Sequence, residues 1–143
     1  MLGGVAFEGE VPLDGNSDAD VVLHALTNAI SGITCVNILG PVADKMCGED
    51  NITDSRAYLY KALEYMKDMK ITHVSISIEC RRPRITPMIP AMRSSISTLL
   101  SIPESSVGIT ATSGEGLSDF GKGLGIQCFA CVTAEEKQLF QQI

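Results

Sequence analysis

Several residue types and patterns are scarce in this 143-residue chain, and each scarcity argues against a class of protein. Tryptophan is absent, aromatic residues make up 5%, and no apolar run approaches the roughly 18 residues that a membrane-spanning helix requires. Positive charge is also scarce, since 11 Lys and Arg against 17 Asp and Glu give a net charge of -6, which argues against nonspecific nucleic-acid binding. The first residues lack the basic segment and apolar core of a signal peptide, so we expect a cytoplasmic protein.

What is present is an ordinary globular composition, 45% hydrophobic and 20% charged, which predicts one domain over residues 1–143. Strand-like and helix-like periods alternate along the chain, which predicts an α/β sandwich with a mixed sheet and helices on one face. Residues 36–46 are expected to form a loop. The predicted helices are 18–31, 55–69 and 87–101, and the predicted strands are 73–79, 107–111 and 124–133, after a hairpin of 2–7 with 11–13.

A polar stripe lies on the first predicted helix, which Ser17 or Asp18 can cap. Apolar residues recur at helical spacing on the core face, whereas Asp20, His24 and Asn28 follow at i, i+4 and i+8 on another face. Asp20 and His24 lie one turn apart and can share a metal, although a catalytic zinc needs about three protein ligands and an open position. A hydrogen-bonded surface pair is the alternative interpretation.

A glycine-rich segment contains the parts of a phosphate or Mg²⁺–phosphate site. Thr112-Ser113-Gly114-Glu115-Gly116 offers two hydroxyls, accessible backbone N–H groups and a carboxylate, and Lys122 adds positive charge. The pattern is not a Walker A loop, so a plain surface loop is the alternative. Arg81, Arg82 and Arg84 can also hold an anion, although arginines beside prolines are more often a solvated rim.

The chain has five cysteines, and an odd number without a secretion signal indicates reduced thiols. Cys128 and Cys131 form a C-x-x-C pattern inside the apolar, β-prone run 126–132. Residues at i and i+3 of a strand face opposite sides, so these two thiols cannot easily share a metal. We therefore expect two small buried side chains.

Several motifs agree, in order, with one known family. Ser17-Asp18-x-Asp20-x-x-Leu23-His24-Ala25-Leu26-Thr27 closely resembles the signature helix of 2-C-methyl-D-erythritol 2,4-cyclodiphosphate synthase. The other matching segments extend the resemblance over nearly the whole chain and are Leu2-Gly3-Gly4-Val5, Asp54-Ser55, Pro83-Arg84, Ile89-Pro90-x-Met92-Arg93, Ala111-Thr112-Ser113-x-Glu115-x-Leu117 and Gly121-Lys122-Gly123-x-Gly125-Ile126.

The resemblance implies a homotrimer of small α/β domains with active sites between neighbouring subunits. Enzymes of this family cyclise 4-diphosphocytidyl-2-C-methyl-D-erythritol 2-phosphate in isoprenoid biosynthesis: the 2-phosphate attacks the substrate's own diphosphate and CMP is expelled. Zn²⁺ and a second divalent ion, Mg²⁺ or Mn²⁺, polarise the phosphates. The implied partners are further copies of the chain and a cytidine nucleotide or the diphosphocytidyl substrate, with no nucleic acid and no membrane.

The resemblance also assigns site residues. His24 matches one of three zinc ligands, Glu115 matches the ligand of the second metal, and Lys122 matches a basic residue on the trimer axis. Thr112 and Asp20 are the catalytic candidates. The residues that match the cytidine nucleotide pocket are Cys80, Pro83, Arg84, Ile85, Thr86, Ala111, Thr112 and Ser113.

Three positions depart from the family pattern. Asn16 replaces a histidine that contacts substrate phosphate, Asn28 replaces an aspartate beside the metal-binding histidine, and Ile38 replaces an aspartate. The family's other two zinc ligands lie on a strand that precedes the position of Leu2. We therefore expect a degenerate homologue with impaired or no catalysis that retains cytidine nucleotide binding. The alternatives are an active synthase with a longer native N-terminus and a metal-free structural or assembly subunit.

Overall fold

The computed structural model describes residues 1–9 and 19–138. The helices are α1 (Val21–Thr34), α2 (Pro41–Gly48), α3 (Ser55–Leu63) and α4 (Ile89–Leu100), the strands are β1 (Met69–Glu79), β2 (Val107–Thr112) and β3 (Gln127–Glu136), and the 3₁₀ turns are Thr86–Met88, Glu104–Ser106 and Gly114–Gly116. None of the helices in the described ranges is long and apolar enough to cross a membrane.

The strands form a mixed sheet in the order β2-β1-β3, which confirms the predicted α/β fold. β1 pairs in parallel with β2 and antiparallel with β3. Val74, Ile76 and Ile78 are buried against the helices, whereas Ser75 and Ser77 on the opposite face are exposed. The clean alternation along β1 therefore arises because only one face of the sheet is covered.

The first helix begins and ends later than predicted. Asp20 is its N-cap, and Cys35, in a left-handed conformation, ends it in place of Gly32. The proposed caps Ser17 and Asp18 lie outside the described residues. Leu23 is fully buried, so the buried face is wider than the predicted stripe.

Residues 41–48 form a helix where the sequence predicted a loop. Pro41 occupies the first turn, where its fixed φ favours the helix and its missing N–H costs nothing. The helix is only 8 residues long and contains no fully buried residue, so it leaves a weak periodic signal. The segment therefore resembles a loop in sequence although its backbone is helical.

Other boundaries differ from the predictions in smaller ways. α3 is capped by Asp54, as expected, but it ends at Leu63, because the chain turns before entering β1 at Met69. Residues 2–7 form no strand: Leu2 and Val5 make an isolated bridge around a turn at Gly3 and Gly4. The partner segment of the predicted hairpin, 11–13, lies outside the described residues. β3 starts three residues later than predicted and extends to Glu136.

Candidate functional site

One cavity lies where the parallel strands β1 and β2 end. The carboxyl ends of parallel neighbours meet at one edge of a sheet, which is the usual position of ligands in open α/β folds. The Cys80 N–H donates to the carbonyl of Thr112 over 3.1 Å, and this bond joins the two segments that follow the strands. The cavity has a volume of about 350 Å³ and is lined by Cys80, Arg81, Pro83, Arg84, Ile85, Thr86, Pro87, Ala111, Thr112 and Ser113.

All eight residues that the resemblance assigned to the cytidine nucleotide lie on this cavity. Cys80, Pro83 and Ile85 are buried, and the Cys80 thiol lies 3.6 Å from the carbonyl of Pro83. These residues form a fixed apolar wall, whereas Thr112 and Ser113 are exposed and face it with hydroxyls. Arg81 and Pro87 also line the cavity, although the resemblance did not assign them to the nucleotide. Each directly follows a residue that it did assign, Cys80 or Thr86.

The hydroxyls of Thr112 and Ser113 accept hydrogen bonds from the loop that follows them. Thr112 Oγ1 accepts from the Gly114 N–H, and Ser113 Oγ accepts from the Glu115 N–H, each over 3.3 Å. Within residues 1–9 and 19–138, neither hydroxyl donates to a protein acceptor. Both O–H groups are therefore available to an anionic ligand.

A second cavity adjoins the first and shares two of its lining residues. It has a volume of about 380 Å³ and is lined by Arg81, Ser113, Glu115, Gly116 and Gly121. Glu115 has a left-handed backbone (φ 49°) and an exposed side chain, and the glycine-rich loop holds it at the cavity wall. This loop is the segment 112–125.

One hydroxyl fixes the glycine-rich loop to the end of β1. Ser118 Oγ donates to Glu79 Oε2 over 2.6 Å and accepts from the Gly121 N–H over 3.0 Å. The backbones of Gly114 and Gly121 touch, since a Cβ added at Gly121 would lie 2.7 Å from the carbonyl oxygen of Gly114. The loop is therefore a compact turn attached to β1 and not a free surface segment.

Asp20, a catalytic candidate from sequence, is fully buried at the start of α1. Asp20 Oδ1 accepts from the N–H groups of Gly3 (2.8 Å) and Leu23 (3.0 Å), and Oδ2 accepts from the N–H of Gly4 (2.8 Å). The surface-pair interpretation of Asp20 and His24 is therefore wrong, because the carboxylate is inside the protein. Its evident role is to cap α1 and hold the turn at Gly3 and Gly4.

His24, the candidate zinc ligand, lies on α1 beside the start of α3. Its Nε2 is 3.0 Å from the hydroxyl of Ser55, a fully buried residue. Glu115 belongs to the loop after β2, on a different part of the fold. Within the described ranges, no three His, Cys, Asp or Glu side chains form a group that could hold a metal ion. These residues therefore supply single candidate ligands and do not complete a zinc site.

The two cysteines of the C-x-x-C pattern face opposite sides of β3, as the strand geometry requires. Burial, and to a smaller degree the nearby charge of Asp20, raises the pKa of the Cys128 thiol to about 12. Cys131 is exposed on the uncovered face of the sheet, so the expectation that both side chains are buried is wrong for Cys131. The apolar run 126–132 suggested burial on both sides of the strand, but the face of β3 that carries Cys131 is uncovered.

Fold and cavities together define the class of protein: a small α/β domain with a polar ligand site at the carboxyl ends of two parallel strands. A model of the YgbB family matches residues 1–135. The chain belongs to the YgbB family.

The relatives are synthases of one kind. The 2-C-methyl-D-erythritol 2,4-cyclodiphosphate synthase of Chlamydia caviae is 52% identical over 137 residues, which are 95% of this chain and 78% of that protein. The solved structure of IspF from Plasmodium falciparum in complex with CDP superposes with a TM-score of 0.83 at 28% identity, covering 96% of this chain and 84% of that one. Bifunctional IspDF from Campylobacter jejuni shares the fold at a TM-score of 0.86 and 24% identity, covering 95% of this chain and 37% of that one.

Proposed function

We propose that this chain binds a cytidine nucleotide in the cavity at the ends of β1 and β2, as part of a 2-C-methyl-D-erythritol 2,4-cyclodiphosphate synthase site of isoprenoid biosynthesis. The observation that carries the proposal is the convergence of all eight predicted nucleotide residues on one cavity of about 350 Å³. That volume is within the ordinary range for small-molecule sites. The CDP complex of the Plasmodium falciparum relative supports the same ligand class.

The two sides of the cavity suit the two halves of a nucleotide. Pro83 and Ile85 are buried, so they present an apolar surface that does not have to be ordered when a base binds. On the other side, the O–H groups of Thr112 and Ser113 are available for phosphate oxygens. Arg84 is exposed at the cavity rim and adds positive charge there. Thr112 thus acts by binding and orienting phosphate.

The metal ions of the family would polarise the phosphates, with His24 and Glu115 as this chain's own ligands. Among the described residues, no group of three His, Cys, Asp or Glu side chains surrounds either residue. The predicted impaired catalysis is supported by Ile38, which is fully buried and presents no carboxylate. Asn28 is exposed on α1 one turn beyond His24, and Asn16 lies outside the described residues.

An active synthase is the second candidate function. The 52% identity with the Chlamydia caviae synthase over 95% of this chain favours it. The two candidates agree on nucleotide binding and differ only in cyclisation. They are separated by zinc content and by CMP release from the diphosphocytidyl substrate: about one tightly held zinc per chain together with CMP release means an active enzyme.

We also propose that copies of the chain associate as a homotrimer through the uncovered face of the sheet. Phe129 is 67% exposed on this face, beside Ser77 in the register of β1 and β3. The homotrimer is what the family resemblance implies, and burial of Phe129 between subunits would remove a large apolar area from water. Light scattering should give three times the chain mass for the unmodified protein and a smaller mass for Phe129→Asp, with the far-UV circular dichroism unchanged.

The direct test of nucleotide binding is a thermal-shift titration of the full chain with CMP and CDP. A ligand that binds only the folded state must raise the melting temperature in proportion to the logarithm of its concentration above Kd. AMP is the control for base recognition, and we expect a smaller shift with it. No shift at millimolar CMP or CDP would overturn the proposal.

A further inference from the structure

Among the residues that the structure describes, two line both the first and the second cavity, and they are Arg81 and Ser113. Arg81 directly follows Cys80 at the end of β1, and its N–H donates to the carbonyl of Phe120 over 2.9 Å. The stem of the side chain passes Gly123, where an added Cβ would be 3.8 Å from Arg81 Cδ. The backbone of Arg81 is thus fixed by the glycine-rich loop, and its side chain lies at the junction of two cavities.

Two charged side chains at this junction have no ion-pair partner among the described residues. Arg81 and Glu115 line the same second cavity, yet neither forms an ion pair among the residues that the structure describes. A guanidinium presents several donors in a planar fork that matches phosphate oxygens, whereas a carboxylate cannot bind phosphate without a bridging cation. The walls therefore suit an anion with several oxygens, alone or together with a divalent cation.

The position of the second cavity identifies that anion. Ser113 and Thr112 are the groups proposed above to hold the phosphate nearest the nucleoside, and Ser113 also lines the second cavity. A second phosphate joined to one held at Ser113 would extend from the first cavity into the second. We propose that Arg81 binds the terminal phosphate of a cytidine nucleoside diphosphate and makes the site prefer diphosphate over monophosphate ligands. This inference rests on the proposed nucleotide function.

The neighbouring arginine provides a matched control. Arg82 is exposed like Arg81 and carries the same charge, but it lines neither of the two cavities. Substituting either residue by Gln removes one positive charge from the same loop and shortens the side chain equally. A difference between the two variants therefore reports position and not net charge.

The test is a calorimetric titration of the unmodified chain, Arg81→Gln and Arg82→Gln with cytidine, CMP and CDP at fixed Mg²⁺ and salt. Loss of a charge-assisted contact to phosphate should weaken CDP binding by Arg81→Gln roughly tenfold, and CMP binding less. Cytidine affinity should not change. Arg82→Gln should change CDP affinity by about twofold at most, because exposed charges act weakly at a distance.

Three results would overturn the role of Arg81. Equal losses of CDP affinity in both variants would mean a general charge effect. An equal loss of cytidine and CDP affinity in Arg81→Gln would mean that the substitution has disturbed the loop. In that case Arg81→Lys, which keeps the positive charge, would show the same loss of affinity. Unchanged CDP affinity in Arg81→Gln would also refute it. Absence of CDP binding by the unmodified chain would instead refute the proposed function.

Discussion

The start of α1 and the glycine-rich loop each hold a carboxylate, but the surroundings of the two carboxylates differ. Asp20 is fully buried, and its two oxygens accept three backbone N–H groups. Glu115 is exposed and lines a cavity without forming an ion pair in the described ranges. Burial of a charge is tolerated only where hydrogen bonds compensate it, so the first carboxylate is structural and the second remains available to a ligand.

Substitution of Asp20 should have the largest effect and tests this comparison directly. Asp20→Ala leaves the N–H groups of Gly3, Gly4 and Leu23 without this acceptor, at a position where the Asp20 side chain is fully buried. We expect a loss of about 3–5 kcal/mol in the free energy of unfolding, measured by chemical denaturation. The control is Asp50→Ala, an exposed residue after α2, which should stay within about 0.5 kcal/mol of the unmodified chain.

The opposite result would restore the catalytic role that the sequence suggested for Asp20. In that case Asp20→Ala would unfold at nearly the unmodified denaturant concentration while CMP release was abolished. If the role of Asp20 is structural, Asp20→Ala lowers the free energy of unfolding, and CMP release falls only to the extent that the protein unfolds.

A smaller effect should follow at the other region, where Ser118 attaches the loop to β1. Ser118→Ala removes the donor to Glu79 and the acceptor for the Gly121 N–H. Because the site is only partly buried, we expect a loss of about 1–2 kcal/mol in the free energy of unfolding. CDP affinity should fall as well, since the loop positions Ser113 and Glu115, and isothermal calorimetry measures that fall.

Ser105→Ala, in an exposed 3₁₀ turn remote from the loop in sequence, is the matched control for Ser118→Ala. It should change neither stability nor affinity. If Ser118→Ala lowered stability but left CDP binding intact, the loop would be a structural element only, and the contrast between the two regions would disappear.

Sequence patterns predicted those parts of the fold that depend on local spacing. The alternation of Val74, Ile76 and Ile78 predicted β1, and the position of Pro90 in a first turn agreed with α4. The short helix at 41–48 was missed, because eight residues with no fully buried side chain carry little periodicity. The end of α3 was misplaced because Met66 continues the apolar stripe although the helix has already ended.

The site was predicted unevenly for a similar reason. Motif resemblance supplied the eight residues of the first cavity, because they lie on two short segments at the ends of β1 and β2 that the family motifs cover. The burial of Asp20 depends on hydrogen bonds to residues 16 and 17 positions earlier, which no local pattern reveals. Arg81 was grouped with Arg82 and Arg84 as an anion site or, more often, a solvated rim, and the fold distinguishes it from Arg82.

Asp54 should show the smallest effect and sharpens the comparison, because it is an N-cap like Asp20 but lies at the surface. The hydrogen bond from the Arg56 side chain is the main cause that lowers the pKa of Asp54 below its ordinary value of 3.8. A lowered pKa stabilises the folded state above the ordinary value, and that contribution is lost as the pH falls through the lowered one. Solvent screens this exposed pair, so Asp54→Asn, which keeps a capping side chain, should cost about 0.5 kcal/mol or less at pH 7. Denaturation curves should show that cost beginning to decrease near pH 3.8 and vanishing below the lowered pKa. A cost that persisted in acid would mean that the cap depends on the shape of the side chain and not on its charge.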